Sequence, residues 1–113
     1  MRAWREARVV SVAVMRLSRD AWKPYAAALY TQLQRASLSV ELNIAEGYTF
    51  GDSPNFTRHL GIAYGSAVET AELLHLGIEA GVLPDGPSQE ILAHADRARV
   101  FLLGLLKRRR RFV

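Results

Sequence analysis

The chain has 113 residues, which is the size of a single domain, and half of its residues are apolar while 23% are charged, a composition typical of globular proteins. It contains no cysteine, which excludes disulfides and thiolate metal sites, and no apolar run approaches the roughly 20 residues of a membrane span. We therefore expect a soluble cytoplasmic protein that folds as one domain over residues 1–113 and makes no membrane contact.

Charge is distributed unevenly along the chain. Residues 2–35 carry a balance of +5, residues 36–90 a balance of −7, and residues 91–113 a balance of +6, for a net charge of +4. This division indicates either a polyanionic partner for the basic segments, or basic and acidic faces that meet within an assembly.

The first predicted helix covers about residues 4–20. Apolar side chains recur there every three or four residues, and arginines occupy most of the other positions. The valines of this segment would also suit a strand, but the flanking Ala, Met, Leu and Arg favour a helix. The apolar stripe consists of Trp4, Ala7, Val10, Val14 and Leu17.

The second predicted helix covers about residues 24–46. Pro24 is compatible with the first turn of a helix, and Gly47 is a natural stop because glycine enters the left-handed conformation at no steric cost. The apolar stripe consists of Leu29, Leu33, Ala36, Val40 and Ile44.

The third predicted helix covers about residues 54–80, with Ser53 as N-cap, Pro54 at the first position and Gly81 as the stop. Inside it, Gly61 and Gly65 each cost about 1 kcal/mol of helix propensity relative to alanine, which predicts that another helix approaches closely along that ridge. The apolar stripe consists of Phe56, Leu60, Ala63, Ala67, Thr70, Ala71, Leu74 and Ile78.

The fourth predicted helix covers about residues 88–109, after a loop over 83–87 that contains two prolines and a glycine. Ser88 is its expected N-cap, and the helix finishes in a run of five basic residues at 107–111. The apolar stripe consists of Ile91, Leu92, Ala95, Ala98, Phe101, Leu102, Leu105 and Leu106.

Four helices of similar length with short connections predict an all-α fold, an antiparallel up-down-up-down four-helix bundle. In this topology the two termini and the connection between the second and third helices share one end of the bundle. Basic residues would converge there beside Glu46 and Asp52, which makes this end the candidate binding surface. The residues predicted to bind nucleic acid are Arg2, Arg5, Arg8, Lys107, Arg108, Arg109, Arg110 and Arg111.

The basic run at 107–111 has two interpretations. Runs of charge are most often solvated tails, whereas consecutive arginines also contact phosphates without regard to sequence. Aromatic residues near the run are few, with Phe112 inside it and Trp4 as a possible neighbour, so base stacking is not a strong expectation.

The segment 37–69 carries a specific set of short motifs. Asn43-Ile44-Ala45-Glu46-Gly47 closes the second helix, Ser53-Pro54-Asn55-Phe56 opens the third, and Ala63-Tyr64-Gly65-Ser66-Ala67-Val68-Glu69 follows within it. With these motifs the chain resembles the 23S rRNA-intervening-sequence family of four-helix bundle proteins. Two features depart from that pattern: Glu41 stands where proline is frequent, and the loop after Gly47 lacks the usual basic residues.

The resemblance implies a non-enzymatic protein that assembles into a homopentameric barrel of four-helix bundles. The arginine-rich C-terminus is also similar to that of the accessory variability determinant proteins of diversity-generating retroelements, which are basic pentamers that associate with a reverse transcriptase and with nucleic acid. The implied partners are therefore further copies of this chain, RNA or DNA, and a reverse transcriptase.

Polar residues of the central segment form the second candidate group. Residues three apart share a helical face, so Asn43 would pair with Glu46 and Ser66 with Glu69, in one seam where Arg35 or Arg58 supplies the cation. We favour a structural hydrogen-bond network over direct ligand binding, and both remain open at this point. The residues of this structural motif are Asn43, Glu46, Gly47, Gly65, Ser66 and Glu69.

Catalytic and metal-binding patterns are incomplete. Glu72-x-x-His75 is one half of a bundle di-iron site, but neither His59 nor His94 has the carboxylate that a second half requires, and we expect the histidines to be solvated or at an interface. The serines lack a glycine-rich nucleophile elbow, and the glycines do not form a phosphate-binding loop. We therefore predict no catalytic residue, no metal and no cofactor.

Overall fold

The computed structural model describes residues 1–110, which fold into four α-helices. They are α1 (Arg2–Ala21), α2 (Ala27–Tyr48), α3 (Pro54–Glu79) and α4 (Asp85–Arg110), and a short 3₁₀ turn at Pro24–Ala26 precedes α2. No strand is present in this part of the chain, which confirms the all-α prediction. None of the helices within residues 1–110 is long and apolar enough to cross a membrane.

Each helix packs against two others: α1 and α3 both contact α2 and α4. Two apolar clusters fill the interior. One joins the start of α1, the end of α2, the start of α3 and the end of α4, through Ala3, Ile44, Leu60 and Leu106 among others. The other joins the remaining halves of the helices, through Val14, Tyr30, Leu74 and Ile91 among others. This grouping is consistent with an up-and-down bundle.

The buried faces follow the predicted apolar stripes closely, and the main exception is in α1. Trp4 is exposed, and Ala3 takes its place beside Ala7, Val10, Val14 and Leu17 on the buried face. The buried apolar residues of α1 keep an alternating spacing of four and three from Ala3 onwards, and Trp4, one residue further along, is rotated by about 100° towards solvent.

Gly47 does not end the second helix, contrary to the prediction, because α2 continues through it to Tyr48. Gly47 is buried, and a Cβ atom added there would lie 2.9 Å from the Phe56 ring and 3.1 Å from the His59 Cβ. It therefore permits α2 and α3 to approach closely. The left-handed glycines are Gly51, with φ of 63° in the connection after α2, and Gly81, with φ of 71° just after α3.

Ser88 does not cap the fourth helix, because α4 begins three residues earlier at Asp85. Pro87 fits inside the first turn, where backbone N–H groups have no intrahelical acceptor and their absence costs little. Ser88 is thus inside the helix: its N–H donates to the Pro84 carbonyl at 3.1 Å, and its buried Oγ has no hydrogen-bond partner within residues 1–110. Of the predicted loop over 83–87, only Leu83 and Pro84 lie outside α4.

Gly61 and Gly65 do not lie against another helix of this chain, contrary to the prediction. A Cβ atom added at either position would meet no atom within 4 Å. Both residues belong to the outer side of α3, where Ile62 and Leu76 are also exposed. The two glycines therefore leave an open apolar surface on the described part of the chain.

Candidate nucleic-acid interface at one end of the bundle

Arg109 holds the end of α4 against the connection between α2 and α3. One guanidinium nitrogen lies 2.8 Å from the Asp52 carboxylate and donates to the Ser53 carbonyl at 3.1 Å, and Nε donates to Thr57 Oγ1 at 2.7 Å. The guanidinium carbon also lies 4.5 Å from the centroid of the Phe56 ring. Arg109 was predicted to bind nucleic acid, and these contacts engage its Nε and one of its two terminal nitrogens within the protein.

The other predicted basic residues are all exposed within the described part of the chain, and two of them also make contacts inside the protein. Arg8 donates to Glu41 at 2.8 Å and neutralises a carboxylate that is otherwise buried, and the Arg2 guanidinium lies 5.9 Å from the Phe101 ring centroid. The exposed members are Arg2, Arg5, Arg8, Lys107, Arg108 and Arg110. Arg111 lies outside the described residues.

A polar network crosses the seam between α2 and α3 and contains two of the six motif residues. Asn43 Nδ2 donates to the Ser39 carbonyl at 2.9 Å and to Ser39 Oγ at 3.1 Å. Ser39 Oγ in turn lies 2.7 Å from Ser66 Oγ. Asn43 and Ser66 are therefore brought together, through a serine between them.

His59 completes this network at its outer end. It is buried, and its Nδ1 lies 3.0 Å from Asn43 Oδ1. An amide oxygen can only accept, so Nδ1 carries the proton and donates. In the neutral ring this leaves Nε2 as an acceptor, 3.4 Å from the Arg58 guanidinium. His59 was predicted to be solvated or at an interface. The spacing of seven residues between His59 and Ser66, which puts both on one face of α3, is the feature of the sequence that indicates the buried position.

Contrary to the prediction, Glu46 and Glu69 do not join the network. Both are exposed, and the Glu46 carboxylate comes no closer than 3.9 Å to His59 Nδ1. Three residues along a helix leave a rotation of about 60°, which carries each glutamate from the seam to solvent. Arg35 is also exposed, and Gly65 has open space beside it.

An aromatic cluster that was not predicted from the sequence lies at the same end of the bundle. The rings of Tyr48 and Phe56 have centroids 5.1 Å apart, and the Phe50 ring stacks on His59 at 5.3 Å with an interplanar angle of 14°. The Phe50 N–H donates to the Gly47 carbonyl at 3.1 Å, which fixes the loop over α3. Tyr48 and Phe50 are nevertheless 52% and 46% exposed.

A second polar cluster joins α1 to α4. Glu6 Oε2 lies 2.5 Å from His94 Nδ1, and Glu6 Oε1 accepts from Arg97 Nε at 3.0 Å. Burial of the Glu6 carboxyl opposes its ionisation, but the hydrogen bonds from His94 and Arg97 outweigh burial and hold the pKa of Glu6 below its ordinary value. Within residues 1–110, no three histidine or carboxylate side chains lie together as a metal site would require.

The four helices and the motifs in their α2–α3 seam agree with a family-level comparison. Residues 1–104 match the family described as 23S rRNA-intervening sequence protein. The chain belongs to this family. A search of curated proteins finds no match. The region shared with the 23S rRNA-intervening sequence proteins includes the whole α2–α3 seam and ends before Lys107, so the basic run lies beyond it.

Proposed function

We propose that this protein is a non-enzymatic, homo-oligomeric scaffold that binds nucleic acid, or a nucleoprotein partner such as a retroelement reverse transcriptase, through the basic end of its bundle. The observation that carries the proposal is the last turn of α4, where Lys107, Arg108 and Arg110 are exposed while Arg109 holds the turn on the α2–α3 connection. The family description, which names an rRNA insertion, supports an RNA-associated role.

The internal contacts of Arg109 and the exposure of its basic neighbours together support phosphate binding. A phosphate is best held by charges whose positions are already fixed, because less side-chain and backbone entropy is lost on binding. Arg109 fixes the backbone of the turn, and its neighbours present their charges to solvent. Contacts of this kind do not depend on sequence and weaken as salt is raised.

Assembly is proposed to be a homopentamer of antiparallel up-down-up-down bundles. The outer side of α3 is apolar and acidic, with exposed Leu76 beside Glu69 and Glu72, and it is open at Gly65. Between α1 and the start of α4 there is a groove of about 570 Å³ that is lined mostly by apolar residues, and its charged members are Arg8, Arg16, Asp20 and Glu90. A contact from α3 of one subunit to the groove of the next is heterologous, and such a contact generates a ring where its rotation closes after a whole number of subunits, here five.

The second candidate function is a purely structural or protein-interaction module without direct nucleic-acid binding. Charge complementarity favours it, since the acidic outer side of α3 in one subunit and the exposed arginines of α1 in the next would satisfy each other within an assembly. In this case the basic run is a solvated tail.

Nucleic-acid binding is tested by fluorescence anisotropy with structured RNA and DNA at low and raised salt. We expect salt-sensitive binding that is lost when Lys107, Arg108 and Arg110 are replaced together by alanine, with Arg109 retained so that the fold is kept. Replacing Arg19, Lys23 and Arg35 removes the same charge from other exposed positions and is expected to have little effect. Absence of binding at low salt by an intact assembly contradicts the leading proposal and supports the second.

Assembly is tested by light scattering. Leu76→Glu should reduce the mass towards that of the monomer, because it places a further acidic charge in the proposed contact. Val100→Glu is the matched control, since Leu76 and Val100 are both 55% exposed and Val100 does not line the groove. An unchanged mass for Leu76→Glu excludes this face of α3 as the subunit contact.

A further inference from the structure

We propose that the aromatic end of the bundle, consisting of Tyr48, Phe50, Phe56 and His59, binds unpaired bases of a single-stranded nucleic acid by stacking. The inference rests on the proposed function and specifies it: single strands rather than duplex, and bases as well as phosphates. Both RNA and DNA strands carry the required chemistry, because every base has a π-face.

Two of the four rings are positioned as platforms. The Phe50 ring rests on the buried His59, which covers one of its faces, and about half of the residue is still accessible. Tyr48 rests on Phe56, and Phe56 is itself fixed by the Arg109 guanidinium. Exposed aromatic side chains that are supported from below lose little conformational entropy on binding a ligand.

The charges around the platform favour bases over phosphates at the rings themselves. The Asp52 carboxylate is already paired with Arg109, and the exposed Glu46 carboxylate lies 3.9 Å from His59 Nδ1. A phosphate would be repelled by Glu46, whereas an uncharged base would not. The exposed cations Arg58, Lys107, Arg108 and Arg110 belong to the same end and are available to the strand's backbone.

The polar network gives this arrangement its rigidity. His59 is held by Asn43, which is held by Ser39, so the ring under Phe50 cannot rotate without breaking a hydrogen bond between α2 and α3. Gly47 allows the two helices to approach closely enough for these contacts. Asn43 and Gly47 of the family motif therefore also support the rings on which the bases would stack.

The test compares the intact protein and its variants for binding to a labelled unstructured strand, the same strand annealed to its complement, and an abasic strand of equal length, in RNA and DNA forms. The intact protein should prefer the unpaired strand. Phe50→Leu and Tyr48→Leu should each weaken that binding by at least about fivefold, the loss expected for one stacked base, and should leave duplex and abasic binding unchanged. Phe50→Trp, which keeps an aromatic ring, should bind the unpaired strand as well as the unmodified protein does.

Tyr25→Leu is the matched control, because Tyr25 is 75% exposed and lies beyond the opposite end of α2, about 33 Å away along a helix of 22 residues. It should change nothing.

The stacking inference is overturned if the protein binds unpaired and duplex nucleic acid equally well and neither Phe50→Leu nor Tyr48→Leu changes that binding. The proposed phosphate binding would still stand in that case. No binding to any of the three ligands at low salt overturns both. A change in oligomeric mass caused by Phe50→Leu would identify the aromatic end as a subunit contact and would also overturn the inference.

Discussion

The Arg109 guanidinium carbon lies 4.5 Å from the centroid of the Phe56 ring, and the same group lies 2.8 Å from the Asp52 carboxylate. Arg109 follows Leu102 and Leu106 at spacings of seven and three residues, so it continues the buried face of α4 rather than the charged surface of the basic run. One cation of the run is thus part of the fold, which separates it functionally from its neighbours.

Arg109→Ala should therefore lower the free energy of unfolding by about 2 kcal/mol, since it removes a cation–π contact and hydrogen bonds to Thr57 and Ser53. Arg110→Ala, an exposed neighbour, should change stability by less than about 0.5 kcal/mol. Urea denaturation followed by circular dichroism measures both. Arg109→Lys should not restore stability, because an ammonium group lacks the planar fork that makes these contacts. Equal stabilities for the two alanine variants would show that the contacts of Arg109 do not contribute to the free energy of unfolding.

Gly47 provides the second prediction. A methyl group there would lie 3.1 Å from the His59 Cβ, an atom next to the backbone that cannot move aside, and 2.9 Å from the Phe56 ring. Gly47→Ala should therefore cost about 1–3 kcal/mol despite alanine's better helix propensity.

Gly104→Ala is its matched control, because Gly104 is also inside a helix and its nearest neighbour would be 3.8 Å away, an ordinary contact. It should raise the free energy of unfolding by about 0.5–1 kcal/mol. Thermal denaturation distinguishes the two outcomes. A stabilising effect of Gly47→Ala would mean that the helices do not approach as closely as described.

Much of the fold follows from the apolar spacing, since the stripes of all four helices largely coincide with their buried faces. Two of the errors, at Gly47 and Ser88, come from interpreting a residue by its local backbone preference. At Gly47 the approach of α3 determines the residue type, and at Ser88 the first turn of α4 extends back through Pro87. Local preference cannot anticipate a contact with a residue that is distant in sequence.

The candidate site was predicted less well for the same reason. Asn43 and Ser66 could be assigned to the α2–α3 seam, but the histidine that joins them required knowledge of how the two helices pair. Tyr48 ends α2 and Phe50 lies in the connection after it, where no periodicity indicates which side chains meet. Likewise, the number of charges in the basic run does not distinguish Arg109, which contacts other parts of the protein, from the exposed Arg110.

Asn43→Ala should lower the free energy of unfolding by about 1–3 kcal/mol, because it leaves the buried Nδ1–H of His59 without an acceptor. Glu69→Ala, at another motif position that is exposed, should have an effect below about 0.5 kcal/mol. Chemical denaturation measures both, and Asn43→Asp, which keeps an acceptor, should recover part of the loss. If Glu69→Ala were as costly as Asn43→Ala, the glutamate would have a role in the assembly that the single chain does not explain.

The cluster between α1 and α4 predicts a specific dependence of stability on pH. Hydrogen bonds from His94 and Arg97 overcome the effect of burial and lower the pKa of Glu6, so its contribution to stability is present above the ordinary value of 4.5 and is lost as the pH falls through the lowered value. Glu6→Gln should therefore be less stable than the unmodified protein at neutral pH, and the difference should shrink as the pH falls below about 4.5.

Asp20→Asn is the control for this prediction. The hydrogen bond from Arg19 also lowers the pKa of Asp20, but both side chains are exposed, so solvent screens their interaction and the difference should be small at every pH. Urea denaturation across the acid range measures the two differences. If the difference in free energy of unfolding between Glu6→Gln and the unmodified protein stayed constant across the acid range, packing of the side chain rather than its charge would join α1 to α4. The expected decrease of this difference at low pH assigns that role to the ionised carboxylate.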